Sequence, residues 1–282
     1  MNSFRQYCKR LGILIAAFIL PAISSVRAAD TTRYTLAVPP LRPMVTTHAD
    51  WSPFVERLGR ETGLDLELKL YETMDQFEKD IARGIPDFVF LHSVQVVAAK
   101  SAQGYIPVVR NSRMVSGSIV VRKDSPIMSV QELEGKTMAY VGEKNLCRAL
   151  LDNVLREDLH ISVKSVYATT ASNVLKYVIL SKADSGGALD VNIEHLPQDL
   201  LDQVRVIYNT KKIAPHALVA HPRVPARVRN SVAEAVLRMG SDKEGSSVMT
   251  AIPIDSPVRA DYDRDYKSLE RMNIKRYFGK GD

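Results

Sequence analysis

Apolar positions along the chain alternate between the period typical of β-strands and the period typical of helices. Residues 65–71 alternate polar and apolar side chains as a half-buried strand does, and residues 87–91 form an apolar run typical of a strand buried on both faces. Between them, Met74, Phe77 and Ile81 share one face of a helix predicted over residues 74–83. This order of elements predicts right-handed β-α-β units and therefore an α/β fold.

The first unit begins with a strand over residues 34–38, which Pro39 and Pro40 end. The following helix is predicted to start at Asp50 as its N-cap, with Pro53 in its first turn, and to end at Gly63. A second set of elements starts near residue 118. It comprises strands over 118–121, 137–141, 162–168, 185–191 and 204–210, and helices over 129–135, 145–158 and 172–181. A helix over 225–239 and two further helical stretches in the polar tail follow.

The two sets are joined near residues 113–117 and again near residues 208–214. We therefore predict two lobes with two hinge crossovers: lobe 1 over residues 29–114, lobe 2 over 115–212, and a return to lobe 1 over 213–282. Ligands of open α/β sheets bind beyond the carboxyl ends of the strands, so a cleft between the lobes is expected to close on a ligand.

The first 28 residues combine a basic start, an apolar run over residues 11–23 and small residues before Ala29. This order is typical of a secretory signal peptide, since the run is shorter than the roughly 20 residues that span a bilayer. We expect cleavage near Ala28 and a periplasmic location. The alternative is a retained N-terminal anchor, which Pro21 and the small residues disfavour.

Removal of this segment changes the charge of the chain. The net charge is +6, but four basic residues precede the first acid, Asp30, so the charge falls to +2 after cleavage. The high pI of about 9.2 therefore gives no support for nucleic-acid binding. Cys147 is then the only cysteine, and no internal disulfide is expected.

Five segments, in this order and spacing, resemble the phosphonate/phosphite-type periplasmic binding proteins of ABC importers. They are residues 50–68, 71–91, 117–142, 173–190 and 263–272. The strongest is 117–142, which contains Asp-Ser-Pro-Ile and Leu-Glu-Gly-Lys. The resemblance implies a monomeric, two-lobed periplasmic-binding-protein fold that captures a small anion for an ABC permease, without a cofactor or a catalytic residue.

The predicted ligand-facing positions depart from that family. Its Ser/Thr-rich turn after the strand at 137–141 is replaced by Gly142-Glu143-Lys144-Asn145. Basic, hydroxyl and amide side chains near the predicted cleft suit an anion. The alternative is that Arg42 and Lys211 are surface residues in contact with solvent and that the hydroxyl side chains cap a helix. The candidate ligand-binding residues are Arg42, His92, Ser93, Lys144, Asn145, Cys147, Thr169, Thr170, Ser172, Asn173 and Lys211.

Cys147 leaves alternatives open. At the start of a predicted helix beside Lys144 and Arg148, its pKa is expected to fall, which would suit arsenite and a sensor that signals to a histidine kinase. Cys147 also fits an apolar helix face with Leu150 and could be a core residue. Catalysis by this thiol is a remote alternative, because no motif places a base beside it.

Overall fold

A computed structural model describes residues 32–272, and in this part of the chain eleven strands form two mixed sheets packed with helices. The signal peptide predicted over residues 1–28 lies outside the described residues. The chain passes from the first sheet to the second and back again. The predicted α/β fold with two lobes and two crossovers is therefore confirmed. The predicted bounds of the lobes remain a prediction, since the described residues pack as one unit.

The sheet of lobe 1 has the strand order β11-β4-β10-β3-β1-β2. Strand β1 pairs in parallel with β2 and β3, whereas β10 runs antiparallel between β3 and β4. The strands are β1 (Arg33–Ala37), β2 (Asp65–Lys69), β3 (Phe88–Leu91), β4 (Ile106–Asn111), β10 (Ala217–Ala220) and β11 (Pro257–Arg259). The chain thus returns to lobe 1 through β10, which inserts into the middle of the first sheet.

The sheet of lobe 2 has the order β7-β6-β8-β5-β9. Strand β8 lies at its centre, parallel to β6 and antiparallel to β5. The strands are β5 (Gly117–Arg122), β6 (Thr137–Tyr140), β7 (Lys164–Tyr167), β8 (Ser185–Leu189) and β9 (Val204–Asn209).

Helices follow most strands, as β-α-β units require. They are α1 (Met44–Thr62), α2 (Met74–Ala82), α3 (Ser93–Gln103), α4 (Leu146–Asp152), α5 (Ala171–Ile179), α6 (Asp190–Ile193), α7 (Gln198–Leu201), α8 (Ala226–Met239), α9 (Lys243–Met249) and α10 (Tyr262–Asp265). Helix α4 continues as a π-helix over Asn153–Asp158. Short 3₁₀ segments cover Val130–Leu133 and Lys267–Arg271.

Several helices differ from the sequence prediction, α1 and α3 among them. Helix α1 begins at Met44, so Asp50 lies inside it and Pro53 is an interior proline. The helix tolerates Pro53 because Trp51, Phe54 and Leu58 bury one face and outweigh the lost backbone hydrogen bond. Helix α3 was not predicted, because nearly all of its residues from 93 to 99 are buried and the sequence shows no amphipathic period.

The two crossovers lie side by side and are hydrogen-bonded to each other. Val115 and Ile213 exchange both backbone bonds, at 2.9 and 2.8 Å between nitrogen and oxygen. Lobe 2 holds the first crossover through Asp190, whose carboxylate accepts from the Ser116 amide at 3.0 Å and its hydroxyl at 2.9 Å. Together these bonds fix where the two lobes join.

Candidate functional site

The carboxyl ends of β3 and β6 bring two turns together between the lobes. Strand β3 leads through His92 into α3, and β6 leads through residues 141–145 into α4. Lys144 on the lobe 2 turn reaches across to α2 of lobe 1, where its Nζ lies 2.7 Å from Asp75 Oδ1 and 2.6 Å from Glu78 Oε2. We call these contacts the cross-lobe ion pair. The candidate site is the cleft around it.

Apolar packing accompanies the cross-lobe ion pair. Helices α3 and α4 contact each other, and Val94 and Val97 of α3 belong to the same buried cluster as Leu146 and Leu150 of α4. One apolar core therefore runs through both lobes at this site.

Burial and charge act in opposite directions on the cross-lobe ion pair. Burial raises the pKa of Glu78, and the hydrogen bond from Lys144 only partly opposes that rise. Burial alone would lower the pKa of Lys144, but hydrogen bonds to Asp75 and Glu78 raise it overall. A side-chain hydrogen bond with Gln95 also lowers the pKa of Glu78, while Gln95 Oε1 is buried without a hydrogen-bond partner among the described residues. The burial of Glu78 therefore outweighs what its hydrogen bonds recover.

Two histidines lie at the lobe 1 edge of the site. In the antiparallel pairing of β3 and β10, His216 comes opposite His92, and their rings meet edge to face at 6.0 Å. His216 also stacks on Phe90 at 5.3 Å. Burial lowers the pKa of His216 to about 4. The pKa of His92 is lowered well below its ordinary value, first by burial and then by the nearby His216. Both imidazoles are neutral at pH 7.

The other lobe 1 candidates have structural contacts. His92 caps α3, because its Nδ1 accepts from the Gln95 amide at 3.3 Å. Ser93 is buried and donates to the carbonyls of Ala214 and Pro215, which ties α3 to the second crossover. Arg42 is exposed and forms an ion pair with Asp50 at 2.5 Å.

Cys147 is a core residue in the structure. Asn145 caps α4 by accepting from the Cys147 amide at 2.9 Å, and the Cys147 side chain is buried. Burial raises the pKa of the thiol, more than the Ser118 amide lowers it. The expectation that Lys144 and the helix would lower this pKa is therefore wrong, because removal from water dominates.

Three of the four lobe 2 candidates after β7 are hydrogen-bonded to one another. Thr170 caps α5 by accepting from the Asn173 amide at 3.1 Å, and Thr169 accepts from the Asn173 side chain at 2.9 Å. Ser172 is half-buried in the first turn of α5. The structure places this group on lobe 2, while Lys211 is exposed on the second crossover.

Arg148 was not among the candidates but is well placed at the carboxyl ends of β6 and β7. Its guanidinium lies over the Tyr167 ring at 5.2 Å and the Tyr140 ring at 6.0 Å. It is also 3.3 Å from Asp152. These contacts fix Arg148 beside α4, where it supports the turn that carries Lys144.

Sequence reasoning missed Asp75, Glu78 and His216. One signal for Glu78 was available: it lies on the face that Met74 and Ile81 share, so an acid interrupts an apolar stripe. In residues 32–272, no cluster of three or more metal-ligating side chains is found, and no helix is long and apolar enough to cross a membrane.

Comparison with known proteins identifies relatives. The family described as ABC transporter, phosphonate, periplasmic substrate-binding protein matches residues 36–266. No curated protein sequence matches. Among solved structures, XAC2383 from Xanthomonas citri, bound to ATP, has a TM-score of 0.72 at 16% identity, covering 87% of this chain and 98% of that one. PhnD1 from Prochlorococcus marinus, in complex with methylphosphonate, has a TM-score of 0.69 at 12% identity, covering 88% and 98%.

A binding protein component of a phosphonate ABC transporter from Pseudomonas aeruginosa is also similar, with a TM-score of 0.61 at 14% identity and 83% of each chain covered. At these identities the three structures establish a shared fold. The match to the family over residues 36–266 extends from the first strand of lobe 1 to its C-terminal helix.

Proposed function

The chain belongs to the family of periplasmic substrate-binding proteins of phosphonate ABC transporters, and from that premise we propose that it captures a small oxyanion between its lobes for an ABC permease. The class of ligand would be phosphonate or phosphite. The observation that carries the proposal is Lys144, a cation on the turn after β6 that reaches across from lobe 2 to α2 of lobe 1. We also propose export to the periplasm, with cleavage near Ala28, and a monomeric state.

Lys144 takes the position of the Ser/Thr-rich turn that the family resemblance led us to expect. A lysine ammonium binds phosphorus oxyanions as a point charge, without the fixed geometry of hydroxyl donors. The exposed hydroxyls of Thr169 and Thr170 and the half-buried side-chain amide of Asn173 would supply further donors from lobe 2.

Transport is favoured over the alternatives that depend on Cys147. Arsenite binds thiolates, and a buried thiol with a raised pKa is a poor ligand and a poor nucleophile. Signalling to a histidine kinase would use the same cleft, but the matched family is one of ABC transporters.

Thermal unfolding of the chain from Ala29 onwards, refolded to remove bound solutes, tests the proposal. We expect phosphite or methylphosphonate at a hundred times its dissociation constant to stabilise the protein by about 2.7 kcal/mol. This corresponds to a rise in Tm of about 5–10 °C. Sulfate and arsenite are the comparison ligands.

Two variants serve as controls. Lys144→Gln should abolish the shift, while Cys147→Ala should keep it. Absence of a shift with every phosphorus oxyanion, or a shift with arsenite that Cys147→Ala removes, would contradict the proposal.

A further inference from the structure

We propose that Asp75 and Glu78 are an internal competitor for the ligand: they bind Lys144 and thereby join the two lobes, and an anion that binds Lys144 replaces them. The inference rests on the proposed function, because it assigns Lys144 to the anion. It identifies the two carboxylates as residues that set affinity, although neither is expected to contact the ligand.

The first argument is geometric. In a two-lobed receptor, closure is normally stabilised by a ligand that contacts both lobes. Here one side chain of lobe 2 already contacts two side chains of α2 in lobe 1, at 2.7 and 2.6 Å. The cross-lobe ion pair thus supplies the bridging contact that a ligand would otherwise supply.

The second argument is the local charge. Lys144 contributes one positive charge and its two partners contribute two negative charges, so the group is net negative when all three are ionised. An anion approaching Lys144 is repelled until the carboxylates leave. Release of Lys144 is therefore a necessary part of anion binding at this position.

The third argument is that an anion can readily replace the two carboxylates at Lys144. Only one oxygen of Glu78 is bound by Lys144, and the carboxylate is buried. A buried carboxylate in that state loses much of its ion-pair energy to desolvation. Lys144 keeps about a third of its side chain exposed, so water and an anion reach it as soon as the lobes part.

The consequence is a lower apparent affinity. A ligand that binds only the unpaired state has its dissociation constant divided by the fraction of protein in that state. Removing the carboxylates raises that fraction, and the affinity for an anion should increase rather than fall.

Calorimetric titration with methylphosphonate tests this for the double variant Asp75→Asn/Glu78→Gln. We expect binding about tenfold tighter than in the wild type, which corresponds to about 1.4 kcal/mol. The matched control is Glu72→Gln, which removes an exposed carboxylate three residues before Asp75 that takes no part in the cross-lobe ion pair. The control should stay within twofold of the wild type. Unchanged or weaker binding by the double variant overturns the inference.

Small-angle X-ray scattering without ligand gives a second readout that does not depend on the choice of anion. The double variant and Lys144→Gln should both have a larger radius of gyration than the wild type, because each loses the cross-lobe ion pair. Their affinities should move in opposite directions, which a general loss of folding would not produce. Empty variants that scatter like the wild type overturn the inference. Opening without methylphosphonate binding in any protein would support the closure and contradict the proposed function instead.

Discussion

Two adjacent glycines at the centre of lobe 2 provide a quantitative test of how closely its helices pack. Strand β8 contains Gly186 and Gly187, whose missing side chains face α5 and α4 respectively. A Cβ at Gly186 would lie 2.6 Å from Val174 Cγ1 and 3.0 Å from Val178 Cγ2. Carbon atoms pack best at about 3.5–4.0 Å, so Gly186→Ala creates overlaps of roughly 0.5–1 Å.

The overlap determines the expected loss of stability. Overpacking of this kind costs about 1–3 kcal/mol, and the stiff χ1 of valine favours the upper half of that range. The alanine recovers about 0.4–1 kcal/mol by restricting the unfolded chain. The net loss for Gly186→Ala is then about 2 kcal/mol, or a fall in Tm of roughly 4–8 °C. Gly187→Ala should cost less, because its Cβ would meet Leu151 Cδ1 at 2.6 Å, the far end of a more flexible side chain.

Thermal unfolding followed by circular dichroism measures these losses. The control in the same strand is Ser185→Ala, since the buried Ser185 hydroxyl has no hydrogen-bond partner among the described residues. That variant should match the wild type or be more stable by up to about 1 kcal/mol. If Gly186→Ala melts at the wild-type temperature, the packing of α5 against β8 is looser than described and the reasoning fails.

Three further predictions concern titratable side chains that are buried or half-buried. Burial alone would raise the pKa of Asp265, but hydrogen bonds from Arg264 and Arg110 hold it well below its usual range, so Asp265→Asn should lower the free energy of unfolding at pH 7 by about 2–3 kcal/mol in urea. Equal stability of variant and wild type would refute this. His216 is charged in the unfolded chain below about pH 6.5 but in the folded protein only below about pH 4. The wild type should therefore lose up to about 2 kcal/mol more than His216→Gln between pH 7 and pH 5, and parallel urea curves would contradict the assignment. Cys147 should react with a thiol reagent only after unfolding, and rapid reaction of the native protein would show that its side chain is accessible.

The sequence predicted the elements whose burial follows a simple period. The apolar run that became β3 and the one-sided stripe of α2 are examples. Helix α3 could not be recognised, because polar Ser93 and Gln95 are buried together with the valines of its first two turns, which leaves no one-sided apolar stripe. The start of α1 was displaced because Asp50 and Pro53 are common at helix starts, and only tertiary packing decides otherwise.

Of the cross-lobe ion pair, only the lobe 2 residue could be predicted from the sequence. Lys144 could be selected from its place after a strand, but its partners Asp75 and Glu78 are 69 and 66 residues away and meet it only through the packing of two lobes. His216 comes beside His92 because β10 inserts next to β3, a pairing between strands separated by the whole of lobe 2. The pKa of the Cys147 thiol depends on its burial, and the residues next to it in the sequence do not determine how deeply it is buried.

The hydrogen-bonded crossovers have a mechanical consequence. Because Val115 and Ile213 hold each other by two backbone bonds, the two connections form a short ribbon instead of two independent tethers. A ribbon of this kind twists more readily than its strands separate, so movement of one lobe against the other is largely reduced to a single torsion. In the proposed opening and closing of the lobes, the ribbon would therefore return Lys144 to the same place on α2.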